Sequence, residues 1–193
     1  MKRQPPTRVR SYAHRMLLVT AAAVACNEPP APISTARAVT PSYDASVDAQ
    51  LAQLRSVIAP FHNLEAAGRA EYTVPLTGCM VDPTLGGMGF HFGKGSAING
   101  TVNPLEPEAL LYEPDKNGKL KLVAVEFLVP YDFAPREGPA PRAFGLDFKQ
   151  NDAFKVWALH AWIFKHNPSG MFADWNPNVN CDAVAAEARM THS

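Results

Sequence analysis

The strongest structural signal in this chain is a pair of apolar segments joined by a short polar turn. Residues 108–114 read EALLYEP, and residues 120–130 read LKLVAVEFLVP. The turn between them contains Asn117-Gly118, a pair that favours hairpins because it supplies the positive φ values that a tight turn needs. The pattern predicts a β-hairpin whose second strand is buried on both faces, with Glu126 as the one carboxylate inside it.

Glu126 and two histidines share an unusual setting, because each is a titratable residue in the middle of an apolar segment. His91 lies in GFHF and His160 in WALHAWIF. An ionised carboxylate buried without a partner costs several kcal/mol, so Glu126 is expected to be paired, protonated or bound to a cation. If the three strands are neighbours, these side chains meet on one face of the sheet. His62, at the junction of two predicted helices, is expected to complete this ligand-binding cluster from the side.

Three interpretations of the predicted cluster stay open. Two imidazoles and one carboxylate suit Zn, Cu, Ni or non-haem Fe, with His91, His160 and Glu126 as metal ligands. The second interpretation is a metal-free site that binds a small ligand or performs acid–base catalysis, with Glu126 as the catalytic residue if there is catalysis. The third is a structural network of satisfied polar groups, in which case the protein is an envelope interaction module. An enzyme that depends on the metal is an alternative to a binding domain.

Helical periodicity precedes the strands. Four apolar residues recur at helical spacing and end before Pro60: Val47, Leu51, Leu54 and Ile58. A short second helix is predicted over residues 64–70, with Asn63 as its N-cap.

Strands are expected at residues 72–76, 88–92 and 154–165 in addition to the hairpin, and residues 131–153 form a long connection that is a candidate lid. Helices followed by strands predict an α+β domain in which N-terminal helices pack on a curled antiparallel sheet, as in a cystatin-like or NTF2-like roll. A small β-barrel is the alternative architecture.

The first 26 residues have the composition of a signal peptide, with five basic residues and then the apolar run MLLVTAAAVA. Residues 23–26 (AVAC) resemble a bacterial lipobox, which implies lipidation of Cys26. Residues 27–43 are rich in Pro, Ala, Ser and Thr and are predicted to be a flexible tether, followed by a single globular domain over residues 44–193. The predicted location is outside the cytoplasm, anchored to a membrane by lipid and facing the periplasm or the cell exterior.

The charge distribution disfavours nucleic acid as a partner. The chain has 18 basic and 18 acidic residues. Because five of the basic residues and none of the acidic ones lie in the first 26 positions, the remainder is acidic, whereas nucleic-acid binding needs clustered cations. The expected partners are the membrane, through the lipid, and a small molecule.

The cysteine count fits export. If Cys26 carries lipid, the remaining two cysteines, Cys79 and Cys181, form a pair in an oxidising compartment. A disulfide between them is predicted.

Four segments resemble motifs of small exported bacterial proteins that have no assigned activity: GMGFHF (87–92), PEALLYEP (107–114), LVAVEFLVP (122–130) and LHAWIFKHNPSGMFADWNPNVNC (159–181). The resemblance covers residues 61–181 and implies an exported domain without implying a mechanism. The two strand histidines and Glu126 lie inside these motifs, which favours a functional role for them.

Overall fold

The computed structural model describes residues 47–182. The predicted signal peptide, lipobox and tether, with Cys26, lie outside this range. The described chain begins with helix α1 (Val47–Ile58), a 3-10 turn (Ala59–His62) and helix α2 (Leu64–Arg69). Eight strands follow within the described range: β1 (Tyr72–Asp82), β2 (Gly86–Lys94), β3 (Ala109–Pro114), β4 (Leu120–Pro130), β5 (Arg142–Ala143), β6 (Leu146–Asp147), β7 (Lys149–Asn151) and β8 (Val156–Ala161).

Six of these strands form one curled antiparallel sheet with the order β1-β2-β3-β4-β8-β7. The N-terminal helix packs on this sheet, which has the form of a half-barrel, so the predicted α+β fold is confirmed. The sheet has free edges at β1 and β7 and is therefore not the closed barrel of the alternative prediction. Strands β5 and β6 pair separately as a small hairpin.

The helices cover one face of the sheet, which we call the helix face. Leu51, Leu54 and Ile58 of the predicted stripe are buried there, whereas Val47 is 37% exposed. The side chain of Asn63 accepts hydrogen bonds from the backbone of the second helix, as predicted for its N-cap. A second group of buried residues lies on the opposite face, which we call the open face: Ala109, Leu111, Val123, Ala124, Leu128, Ala158, Trp162 and Val179.

The central hairpin is confirmed, but its turn differs from the prediction. Gly118 alone has a positive φ, of 77°, and Asn117 does not. The Asp115 carboxylate accepts hydrogen bonds from the backbone N–H groups of Asn117 and Lys119. This geometry corresponds to a three-residue loop with one left-handed glycine, which needs positive φ at a single position.

A bulge interrupts the alternation of side chains in β4. The pairing with β3 shifts between Leu111 and Tyr112, so that Leu122 packs on the helix face while Ala124 lies on the open face. Strict alternation from Glu126 would have placed Leu122 on the open face. The bulge lies before Glu126 and leaves the orientation of Glu126 as predicted.

The last strand and the long connection also differ from the predictions. β8 runs over Val156–Ala161 and is shorter at both ends than predicted. Part of the predicted lid is the edge strand β7, which pairs with β8, so this part belongs to the sheet.

The sulfur atoms of Cys79 and Cys181 lie at disulfide-bonding distance, as predicted, with their Cα atoms 5.9 Å apart. The pair joins β1 to the segment that follows the last strand, across a sequence separation of 102 residues. Among the helices of residues 47–182, none is both long and apolar enough to cross a membrane.

Candidate metal centre

The register of the sheet brings His91, Glu126 and His160 to one place on the open face. Glu126 in β4 lies directly opposite His160 in β8. On its other side Glu126 lies opposite Ala109 in β3, and His91 lies opposite Leu111, two residues along the same strand. Residues two apart in a strand share a face, so the two imidazoles approach the carboxylate from opposite sides.

The ring nitrogens of the two histidines face different oxygens of the same carboxylate. His91 Nε2 is 3.6 Å from Glu126 Oε2, and His160 Nε2 is 3.5 Å from Glu126 Oε1. The two rings are nearly perpendicular, with their centroids 6.0 Å apart. One ligand atom from each residue lies within 4.8 Å of the other two, a spacing that slight contraction around an ion would close to metal–ligand distances of about 2 Å.

Burial disfavours charge on His91 and Glu126. All three side chains are buried, with exposed fractions of 3% for each histidine and 6% for Glu126. Burial, assisted by the nearby His160, lowers the pKa of His91 to about 3, so its imidazole is neutral at physiological pH. Burial also raises the pKa of Glu126, opposed by His160 and reinforced by Asp174. A neutral imidazole with a free lone pair is the form that binds a metal.

The outer nitrogen of each imidazole has a polar neighbour of its own. Thr77 Oγ1 lies 2.7 Å from His91 Nδ1, which is hydrogen-bonding distance. Asp174 Oδ1 lies 3.8 Å from His160 Nδ1 and accepts a hydrogen bond of 2.8 Å from Lys149. The proximity of His160, followed by the hydrogen bond from Lys149, lowers the pKa of Asp174 to about 2, against the opposing effect of partial burial. With a proton on each Nδ1, both Nε2 lone pairs point to the carboxylate.

His160 is buried without closing a hydrogen bond at either ring nitrogen, counting partners in the described part of the chain. Buried polar side-chain atoms usually have such a partner. The distances around His160 are therefore longer than those of a closed structural network.

Glu108 is a fourth buried ionisable residue, and sequence reasoning did not single it out. It is 1% exposed, and its Oε2 accepts a hydrogen bond of 2.9 Å from the backbone N–H of Leu128. Burial raises the pKa of Glu108 to about 8, with smaller contributions from the carboxylates of Glu126 and Glu106. A glutamate immediately before an apolar strand, in PEALLYEP, was the only signal in the sequence.

His62 does not lie at the cluster, contrary to the prediction. Its ring is exposed and packs edge-on against Phe164, with ring centroids 4.6 Å apart. Phe164 packs against the helix-face core, whereas the cluster lies on the open face. β8 ends at Ala161, so Phe164 no longer follows the alternation that would have placed it beside His160.

A cavity of about 610 Å³ opens beside the cluster and includes all three residues in its lining. Three protein ligands would leave coordination positions free on a bound ion, and the three side chains line the cavity. The arrangement can therefore hold a metal ion and present it to a small molecule.

Comparison with known proteins found no match to a family model, to a curated protein or to a solved structure. The resemblance to small exported bacterial proteins stays a prediction, and the function is inferred from the geometry of the site.

Proposed function

We propose that this domain binds one divalent transition-metal ion, of the group Zn, Cu, Ni and Fe, through His91 Nε2, His160 Nε2 and the carboxylate of Glu126. The observation that supports this most is the gap in the cluster. Two imidazole nitrogens face one carboxylate at 3.5 and 3.6 Å, which is longer than a charge-assisted hydrogen bond of about 2.8 Å. An ion between the three groups would satisfy all of them.

The polar neighbours of the two imidazoles support the same proposal. In metal sites a ligating histidine usually donates its other N–H to a carboxylate, a backbone carbonyl or water, which fixes the ring and its tautomer, and a hydroxyl oxygen can accept in the same way. Thr77 and Asp174 occupy these positions at His91 and His160. Binding would release the proton that burial favours on Glu126, so metal uptake should weaken as the pH falls.

The test is a zinc titration of the chelator-treated protein, followed by calorimetry. We expect one ion per chain. Loss of a metal ligand should weaken binding at least as much as loss of a residue that only hydrogen-bonds a ligand. His91→Ala and His160→Ala should therefore each lower the affinity about a hundredfold or more. His166→Ala, at an exposed loop histidine, is the matched control and should bind like the wild type. Unchanged affinity in both site variants, with folding verified by circular dichroism, would refute the proposal.

We also propose that the domain is exported and tethered to a membrane through lipid on Cys26. The basic and apolar segments before Cys26 support this, as does the bonding distance between the two remaining cysteines. The wild-type protein is expected in the membrane fraction and a Cys26→Ala variant in the soluble exported fraction. A Cys26→Ala protein that stays with the membranes would count against lipidation.

A further inference from the structure

The cavity beside the cluster has mostly apolar walls. Strands β1, β2, β4, β7 and β8 and three loop segments line it. The apolar side chains that line it include Leu76, Met80, Ile98, Leu128, Phe154 and Val156. A volume of about 610 Å³ falls within the range of small-molecule sites, roughly 300–1,000 Å³.

The charged side chains at the edge of the cavity already have partners. Lys149 and Asp174 form an ion pair of 2.8 Å. Asp152 receives two hydrogen bonds from Arg136 and one from Tyr131. These pairs leave the walls close to neutral. The charge of a bound ligand therefore has to be matched by the floor of the cavity, by which we mean the cluster of His91, Glu126 and His160.

The floor carries one net positive charge when the proposed ion is bound. A divalent cation contributes two positive charges, the ionised Glu126 removes one, and His91 and His160 bind as neutral imidazoles. An uncompensated charge in an apolar cavity is unfavourable. One monoanionic donor on a free coordination position would make the site neutral.

We propose that the metal-loaded site binds medium-chain aliphatic monocarboxylates. The carboxylate of the ligand occupies a free position on the ion, and its alkyl chain lies along Leu76, Leu128, Val156 and the other apolar wall residues. A single charge on an apolar chain fits both the floor and the walls, whereas a dianionic head group would leave a negative charge in the cavity. This inference rests on the proposed function, because the ion supplies the positive charge.

The test is a calorimetric titration of the zinc-loaded protein with octanoate, after excess metal has been removed. The same titration of the zinc-free protein is the comparison. We expect octanoate to bind the zinc-loaded protein at least tenfold more tightly than the zinc-free protein. In the series butanoate, hexanoate and octanoate, each methylene should increase affinity up to about fourfold, the factor for full burial of a methylene. Octylamine and octanol, which have the same chain without the negative charge, should bind more weakly than octanoate.

Equal binding of octanoate with and without zinc would overturn the inference, and so would equal binding of octanoate and octylamine. Affinity that does not change from butanoate to octanoate would show that the apolar walls are not used and would also overturn it. A protein that takes up zinc but does not bind octanoate contradicts this inference alone. A protein that takes up no zinc contradicts the proposed function on which the inference rests.

Discussion

The residues around the cluster divide into those that face an ion and those that hold the imidazoles in place. His160 depends on Asp174 for this, because neither ring nitrogen closes a hydrogen bond within residues 47–182 and the Asp174 carboxylate lies 3.8 Å from Nδ1. Asp174 is itself oriented by Lys149. Nothing in the pattern FADWNP, residues 172–177, indicated that Asp174 approaches His160.

Replacing Asp174 tests this positioning role. An Asp174→Asn variant keeps the size of the side chain but loses the negative charge that favours a proton on His160 Nδ1. We expect zinc affinity to fall about 10- to 100-fold, which is the usual effect of removing a residue that orients a metal ligand. Asp147→Asn is the matched control, because Asp147 forms an exposed ion pair with Arg142 on the β5–β6 hairpin. Equal zinc affinity in both variants would show that Asp174 does not position His160.

Glu108 predicts a pH dependence of stability. Its pKa rises from about 4.5 to about 8 on folding, so between these pH values the folded protein keeps a proton that the unfolded chain releases. This proton stabilises the fold fully below pH 4.5, and the stabilisation is lost as the pH rises through 8. The slope for one proton is about 1.4 kcal/mol per pH unit.

A Glu108→Gln variant isolates this contribution, because the amide keeps an acceptor for the backbone of Leu128 and does not titrate. As the pH rises from 5 to 8, the unfolding free energy of the wild type should decrease relative to that of the variant. Urea denaturation at several pH values measures it. A difference that is independent of pH would mean that Glu108 is ionised in the folded protein.

The residues of the cluster were predictable to the extent that they break an apolar pattern. His91, Glu126 and His160 stand out because each interrupts a hydrophobic strand. Thr77 lies in an edge strand with mixed exposure, where a polar residue is ordinary. The prediction that His62 lies at the cluster was wrong because it was inferred from a helix junction. The sequence of a junction does not determine which face of the sheet the junction approaches.

At the scale of elements, β2 places His91 only because a glycine allows close approach of β3. Gly89 has a φ of +87°, and a Cβ atom there would meet the backbone carbonyl of Tyr112. We expect Gly89→Ala to destabilise the protein by about 1–3 kcal/mol, since strain of this kind costs that much. Zinc affinity should fall as well, because His91 lies two residues further along the strand. Chemical denaturation and zinc titration measure the two effects.

Gly78→Ala in the neighbouring strand is the control for this prediction. A Cβ at Gly78 has nothing within 4 Å, and the residue has no positive φ. Its effect on stability should stay within about 0.5 kcal/mol, as for most surface substitutions. If the two variants are equally stable, the close contact between β2 and β3 does not exist.

The elements themselves were predicted better than their ends and irregularities. The hairpin of β3 and β4 follows from two apolar runs around a glycine turn, a purely local signal. The bulge at Val123 of β4, opposite Leu111 and Tyr112, was not predictable, because it depends on how the sheet curls across several strands. The short strand β7 was hidden in the long connection, since its residues Lys149–Asn151 are polar and gain their pairing only from β8.

At the scale of the whole molecule, the pair Cys79 and Cys181 closes the chain around the sheet. A loop of about 100 residues is constrained in the unfolded state by such a bond, and its loss is expected to cost about 2–5 kcal/mol. We expect the Cys79→Ser, Cys181→Ser double variant to lose this stability in urea denaturation. Reductant should lower the stability of the wild type to that of the variant and leave the variant unchanged. Equal stability of the oxidised wild type and the variant would contradict the bond.

The α+β architecture followed from the order of helices and strands along the chain, whereas the strand order in the sheet did not. β8 pairs with β4 across the 25 residues that separate the two strands, and no local pattern encodes that partner. This non-local pairing places His160 opposite Glu126. The sequence identified the three residues, and their meeting depended on the topology.

The most direct test of the proposed metal centre is a crystal structure of the zinc-soaked protein, with anomalous data collected on both sides of the zinc absorption edge. We predict one anomalous peak per chain, about 2 Å from His91 Nε2, His160 Nε2 and a carboxylate oxygen of Glu126. Zinc bound only at exposed groups such as His62 or His166, with no peak between the three buried side chains, would contradict it.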